Sequence, residues 1–375
     1  MDAPQSATIL SYFDQLNDPR VSRSRRHALE DILVISICAV ICGADGWTDV
    51  EAFGRAKLDW FRTFLHLPNG IPSHDTFGRL FARLDPEQFK ACFARWIEAV
   101  RTRIPGEIVA IDGKVSRRSY DRAAGLGPLH TVSAWALENR LVLGQVKTEE
   151  KSNEITAIPE LLHLLDLSGC IVTIDAMGCQ RAIAKQIVGV GADYVLALKR
   201  NQERMYRHVG AFFEWAEKKN FEGVTWAECE RFDTGHGRSE RRRYVVSPDV
   251  AWLPKSRAWA GLRTIGMVES ERTENGKTSV ERRFFLSSLE PDVEQFARAV
   301  RGHWQIENAL HWVLDIAFGD DESRVRRGHA AENLEVLRHL ALSLLKQERS
   351  EKRGIKGKRL SAGWNEAYLV KVLFG

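Results

Sequence analysis

Two short apolar runs each end in an aspartate followed by a small residue: Ile108-Val109-Ala110-Ile111-Asp112-Gly113 and Ile171-Val172-Thr173-Ile174-Asp175-Ala176. A glutamate, Glu307, stands far downstream in a helical stretch. A continuous β-branched run reads as a strand buried on both faces, and an acid at its end sits at the sheet edge without being lost in the core. Three carboxylates from two strands and a helix are hard oxygen ligands suited to Mg²⁺ or Mn²⁺. Gathered without cations they raise one another's pKa by repulsion. Two divalent ions remove that cost, activate a water or a hydroxyl, and stabilise the leaving oxygen of an in-line phosphoryl displacement. The chemistry expected is phosphodiester cleavage or exchange.

Around the third acid, His303, Glu307, His311 and Asp315 recur every four positions, which stacks them on one helix face. Ile306, Leu310, Val313 and Ala317 form an adjacent apolar stripe, so the helix is expected to pack on the sheet with its polar edge toward Asp112 and Asp175. An ordinary amphipathic helix with a solvated face reads the same way when taken alone. A zinc site on His303 and His311 fits poorly, because a spacing of eight does not easily bring two residues of one helix to one ion.

The elements that must position these acids follow from texture. Residues 28–100 are helical, with apolar residues at helical spacing such as Phe89, Phe93, Trp96 and Ile97. Within them, Gly70-Ile71-Pro72-Ser73 forces a turn, with Ser73 as N-cap of the next helix, in a segment compatible with a helix-turn-helix or with plain helical packing. After Pro105 come a strand to Asp112, a hairpin turning at Glu138-Asn139-Arg140, a helix, the strand to Asp175, a helix from Gln180, and a strand Tyr194–Leu198. Three strands, helix, strand, helix, strand is the order of a ribonuclease H-like α/β core with a mixed sheet. Residues 201–291 then read as a β-rich insertion between the second and third acids, and helix returns from Asp292 to Phe318 and from Ala330 to Gln347.

Composition sets the outer limits. At 375 residues and 44% hydrophobic content the chain carries ample core, and the longest apolar stretch, Ile32–Ala44, is too short to span a bilayer. No signal-peptide pattern opens the sequence, so the cytoplasm is the expected compartment. The six cysteines form no CxxC pair, so the sequence supports neither a structural zinc site nor a disulfide framework. Net charge is only +4, but basic clusters at Arg20–Arg26, Arg117-Arg118, Arg238–Arg243, Arg324–Arg327 and Lys352–Arg359 suit a polyanion touching several parts of the surface.

Together these motifs resemble the DDE transposases of bacterial insertion sequences, most closely the H-repeat-associated group. The resemblance is carried by Asp18-Pro19-Arg20, Gly70–Phe77, Ala110–Lys114, Thr173–Gln180, Gly191–Tyr194, Leu198–Gln202, His236-Gly237-Arg238 and His303–Asn308 with His311-Trp312, and so spans nearly the whole chain. It implies an N-terminal helical, DNA-binding domain over 1–104, a ribonuclease H-like core over 105–200 and 292–348, the insertion over 201–291, and a basic C-terminal tail over 349–375. It further implies that Asp112, Asp175 and Glu307 bind two Mg²⁺ or Mn²⁺ ions, and that the enzyme cuts inverted-repeat DNA ends and joins the 3′-hydroxyl to target DNA. A homodimer in the synaptic complex and a cytoplasmic, nucleoid-associated location without membrane contact follow from the same resemblance. The alternatives are a metal nuclease without strand transfer and an inactive DNA-binding remnant.

The basic shell departs from better-known relatives. A tyrosine, an arginine and a lysine are expected around the third acid where Val300, His303 and Leu314 stand. Candidate DNA contacts are Lys114, Lys199, Arg200, His236, Arg238, Arg301, His303, Arg324 and Arg326, and Gln180, His311 and Asp315 are expected to support the acids. Several have bland readings as well: Lys114 as a solvated strand-end lysine, Gln180 as a helix former, and His236-Gly237-Arg238 as a turn.

Overall fold

A computed structural model of the chain describes residues 9–121, 125, 127–148, 154–235 and 237–374. The N-terminal part is helical: α1 (Leu29–Ile41), α2 (Trp47–Ala56), α3 (Leu58–Phe61), α4 (His74–Phe81) and α5 (Pro86–Val100). Asp85 caps α5 by accepting from the backbone of Glu87 at 2.9 Å, with Pro86 in the first turn. Ser73 precedes α4 as expected, yet its side chain does not cap it; the carboxylate of Glu51 takes the His74 N–H at 2.6 Å instead. Buried residues of α1, α4 and α5 belong to the same apolar cluster as the central strands.

Next come β1 (Ile108–Ser116), β2 (Leu129–Ala136), β3 (Leu141–Lys147), α6 (Glu154–Leu164), β4 (Ile171–Ile174), α7 (Arg181–Gly189), β5 (Asp193–Leu198), α8 (Glu203–Lys218), β6 (Ala227–Gly235), β7 (Arg238–Ser247), β8 (Thr264–Glu274) and β9 (Lys277–Ser287). Among the described residues, the nine strands form one mixed sheet in the order β3-β2-β1-β4-β5-β9-β8-β7-β6. The pairs β1/β4 and β4/β5 are parallel, while β1/β2, β2/β3 and β5/β9 are antiparallel. The strands of 201–291 thus extend the same sheet through β9 instead of forming a separate one.

The segment around Glu307 is α9 (Val293–Ile306), a π-helical turn over Glu307–His311, and α10 (Trp312–Phe318). Side chains alternate faces along a strand, and Ile108, Ile171 and Val195 pack with Phe296, Ala299 and Val300 of α9. Asp112 shares the face of Ile108, and Thr173 and Asp175 share that of Ile171. Residue Gly302 permits the close approach, since a Cβ there would lie 3.0 Å from Ile108 and 3.1 Å from Leu137.

Helix α11 (Ala330–Gln347) is buried along nearly its whole length, polar residues included. Its Asn333 donates to Phe81 O at 2.8 Å and Leu84 O at 3.0 Å, tying the N-terminal helices to the core. Its Glu335 accepts from Thr131 at 2.8 Å and Gln145 at 3.2 Å. These hydrogen bonds offset much of the cost of burying the Asn333 amide N–H and the Glu335 carboxyl.

The C-terminal segment corrects the expectation of a basic tail. Residues 349–375 carry α12 (Ile355–Trp364) and α13 (Glu366–Phe374). Lys352, Arg353 and Lys356 of the basic run are exposed, but its last two residues are internal: Arg359 is 4% exposed and donates to Val40 O at 2.8 Å and to Ala317 O, while Lys358 donates to Leu345 O at 3.0 Å. These cations satisfy helix C-terminal carbonyls, where partial negative charge collects.

Candidate metal centre and its surroundings

Strand β1 pairs with β2 over Val109–Ser116 but with β4 only over Ile108–Ile111. Asp112 is therefore not at the end of its strand. It is the first residue beyond the point where β4 departs, which opens the sheet beside it. Asp175 directly follows β4, next to Asp112 across the last β1/β4 pair. Its Oδ1 accepts from the backbone N–H groups of Met177 at 2.9 Å and Gly178 at 3.4 Å. That turn is braced from the end of β5: Asn201 donates to Ala176 O, and Gln202 donates to Cys179 O at 3.0 Å and to Gln180 Oε1 at 3.2 Å. Asn201 and Gln202 were legible as a polar end to a strand and as part of the Leu198–Gln202 motif; nothing local reveals their partners.

Glu307 opens the π turn and is 57% exposed at its side chain. The wider turn breaks the strict four-residue register expected for His303, Glu307, His311 and Asp315, and π turns of this kind cluster at functional sites. His311 Nδ1 lies 3.2 Å from Glu307 Oε2 and 3.7 Å from Asp112 Oδ2. Asp112, Glu307 and His311 each present a ligand atom within 4.8 Å of the others. His311 thus stands among the acids, not behind them, while the Asp175 carboxylate turns toward its own loop. Burial is the largest influence on His311 and lowers its pKa, and its Nε2 has no hydrogen-bond partner among the described residues.

Burial also pushes the Asp112 carboxyl up to about 7, reinforced by repulsion from Glu154, Asp175 and Glu307. Glu154 was not singled out from the sequence. It heads α6 and lies against Gly113, where a Cβ would come within 2.1 Å of its Oε1, and it sits 3.2 Å from His130 Nε2. A side chain at position 113 would displace it. The concentration of uncompensated carboxylate around Asp112, with oxygen donors dominant, fits a hard divalent cation.

The remaining candidates divide. Lys114 is not a free phosphate contact: its side chain is only 9% exposed, with its Nζ 2.7 Å from Asp315, 3.3 Å from Asp320 and 3.5 Å from Asp321. These three acids form a second carboxylate group, and the ammonium occupies it. Asp315 consequently supports Lys114 instead of Glu307. His303 is half-buried with Nδ1 3.2 Å from Thr173 Oγ1, and burial drives its pKa down to about 4, so it is a neutral packing residue and not a cationic contact. Gln180 precedes α7 and donates to Met177 O at 3.3 Å, within the Asp175 turn.

Lys199, Arg200, Arg238 and Arg301 are exposed. Arg301 lies 3.8 Å from Asp233. Arg326 donates to Arg118 O at 2.8 Å and stacks on Tyr120, and with Arg324 it lines a cleft of about 870 Å³ bounded by α2 and α4. His236 lies outside the described residues. No described helix is long and apolar enough to cross a membrane.

Comparison with known proteins adds the family. Residues 103–344 match the transposase DDE domain and residues 10–97 match the DDE_Tnp_1-associated domain. The chain is 41% identical over 372 residues to "Putative transposase YncI" of Escherichia coli O157:H7, covering 98% of this chain and 94% of that protein. It is 39% identical over 373 residues to "H repeat-associated putative transposase YhhI" of Escherichia coli K12, with 98% of each covered. Among solved structures, the piggyBac transposase synaptic complex with hairpin DNA aligns over 97% of this chain and 77% of that one, at a TM-score of 0.41 and 11% identity. The two domain matches, and relatives aligned along nearly their full lengths, place the chain in the DDE transposase family.

Proposed function

We propose that the protein cuts DNA at the ends of a mobile element and transfers the liberated 3′-hydroxyl to target DNA, with Asp112, Asp175 and Glu307 as its catalytic, metal-binding acids on a ribonuclease H-like core. The carrying observation is the convergence of Asp112 and Glu307, from strand β1 and the π turn after α9, on one point with His311 between them. The sheet order and directions over β1–β5 support the core assignment, with β6–β9 as the insertion.

Each residue has a definite task in this reading. Strand β1 holds Asp112 in a half-buried position where its charge is costly, so a cation is favoured there. His311 spans Asp112 and Glu307 and fixes their separation, and its neutral form serves as a nitrogen donor beside them. The two N–H bonds to Asp175 fix the orientation of that carboxylate in its turn. Bound Mg²⁺ or Mn²⁺ ions would supply activation of a water or 3′-hydroxyl and charge stabilisation of the leaving oxygen. Exposed Lys199, Arg200, Arg238 and Arg301 carry phosphate contacts near the acids, and Arg324 and Arg326 carry them at the cleft facing the N-terminal helices. Action on two DNA ends calls for two copies of the chain, working in the cytoplasm on nucleoid DNA.

The test is a donor DNA with the element's own ends, incubated with protein and Mg²⁺ or Mn²⁺ and resolved for nicks, excised ends and joined product. Asp112→Asn, Asp175→Asn and Glu307→Gln are expected to abolish all products while leaving DNA binding intact. Nicks without joined product from the parent protein would reduce the function to a nuclease. Products surviving in the substituted proteins would remove the acid assignment.

A further inference from the structure

Beyond α9, the face of β7, β8 and β9 that packs on the helix changes character. Its inner rows are apolar, with Tyr244 paired to Val268 and Val246 facing the same cluster. Farther out, Arg242 pairs with Ser270 and Ser270 with Glu281, then Glu240 pairs with Arg272 and Arg272 with Ser279. These rows and α9 enclose a cleft of about 410 Å³, lined by five arginines against two glutamates. Trp304 and Asn308, on either side of Glu307 in the chain, line it too.

Three polar atoms in this cleft have no hydrogen-bond partner among the described residues: Ser270 Oγ, Arg272 Nε and Arg283 Nε. Ser270 is only 6% exposed. Arg272 spends Nη2 on Glu274 at 2.6 Å, and Arg283 Nε is 3.6 Å from Glu281, beyond hydrogen-bond reach. The Arg283 guanidinium is held over the Trp304 ring at 5.5 Å. By contrast Arg242 is committed to Asp233 and Glu240. A buried donor without an acceptor is costly, so three unpartnered polar atoms in one basic cleft imply an acceptor supplied from outside.

We propose that this cleft binds the phosphodiester backbone of the DNA strand that runs to Glu307, with Arg272 and Arg283 as the charged contacts, Ser270 as a neutral donor, and Trp304 as the residue that positions Arg283. Guanidinium forks and a hydroxyl match phosphate oxygens in geometry and charge. The inference rests on the chain's acting on DNA, and it is tested without requiring catalysis.

Binding of a fluorescein-labelled random-sequence DNA duplex is measured by anisotropy in EDTA across a salt series. Arg272→Gln with Arg283→Gln is expected to weaken binding about tenfold or more and to lower the slope of log affinity against log salt by roughly 1–2. Arg272→Lys with Arg283→Lys keeps most of that slope. Ser270→Ala removes a hydroxyl without a partner, so the free protein stays as stable as the parent while DNA binding falls several-fold. Arg207→Gln, at an exposed ion pair on α8, leaves binding as in the parent. Affinity and slope unchanged in both the double glutamine protein and Ser270→Ala would overturn the inference. Because the readout is metal-free, failure of the acids in the nicking assay bears on the proposed function alone.

Discussion

Replacing Asp112 by asparagine is expected to do two opposite things: end DNA cleavage and stabilise the metal-free protein at neutral pH. The carboxyl is pushed from 3.8 to about 7 by burial and by Glu154, Asp175 and Glu307. A raised acid pKa means that the folded state binds the proton more tightly than the unfolded chain. Between about pH 4 and pH 7 the folded protein therefore holds more protons, and stability falls as pH rises through that window. A shift of about three units at about 1.4 kcal/mol each sets an upper bound of about 4 kcal/mol, fully expressed above about pH 7. Asparagine keeps the shape without the charge. We expect Asp112→Asn to exceed the parent by about 2–4 kcal/mol at about pH 8 in EDTA, and to match it at about pH 4. Urea unfolding at the two pH values with equal m-values is the assay. With Mg²⁺ at a hundred times its Kd, the parent gains about 2.7 kcal/mol and the variant gains little. A variant less stable than the parent by the same amount at both pH values would refute the reasoning.

Further perturbations separate positioning from chemistry. Lys114→Met leaves Asp315, Asp320 and Asp321 without their shared cation, and breaking a buried pair in this way costs about 3–5 kcal/mol, read by urea unfolding; unchanged stability with a lowered DNA salt slope would return Lys114 to the phosphate contacts. Asn201→Ala frees the Asp175 turn, and slower nicking is expected with duplex binding as in the parent, checked by parallel nicking and anisotropy measurements. Gly302→Val drives a side chain into Ile108 and Leu137, costing about 1–3 kcal/mol and displacing Glu307, so Mn²⁺-dependent nicking falls more than stability does. Arg359→Met strips the donors from Val40 O and Ala317 O, and a lowered unfolding midpoint is expected with no change in DNA affinity, opposite to the behaviour of a basic tail.

Much of the architecture was written in local pattern. The β-branched runs before Asp112 and Asp175 form parallel neighbours in the sheet, the turn at Glu138-Asn139-Arg140 closes β2 and β3 with Arg140 at positive φ, and the helix from Ala330 to Gln347 forms with those ends. Strand and helix periods are properties of a few consecutive residues, which is why they survive reading in isolation. Lys358 and Arg359 misled because charge alone does not say whether a helix C-terminus waits nearby. Lys114 and Asp315 misled for a related reason: both lie beside acid motifs in sequence, but their side chains meet each other across β1 and α10.

The sequence by itself determined the strands that carry Asp112 and Asp175, the helical stretch that carries Glu307, and the ordered motifs that mark the family. These depend on residue type and short-range spacing. Only the tertiary structure decided that β4 leaves β1 at Ile111, opening the sheet beside Asp112, that a π turn brings His311 between Glu307 and Asp112, and that Glu154 crowds the same carboxyl. It also decided which cations are spent internally, at Lys114, Arg242 and Arg359, and which polar groups, at Ser270, Arg272 and Arg283, still lack a partner. The physical reason is that electrostatic and hydrogen-bond energies depend on separation and burial in space, and residues far apart along the chain acquire both only when it folds.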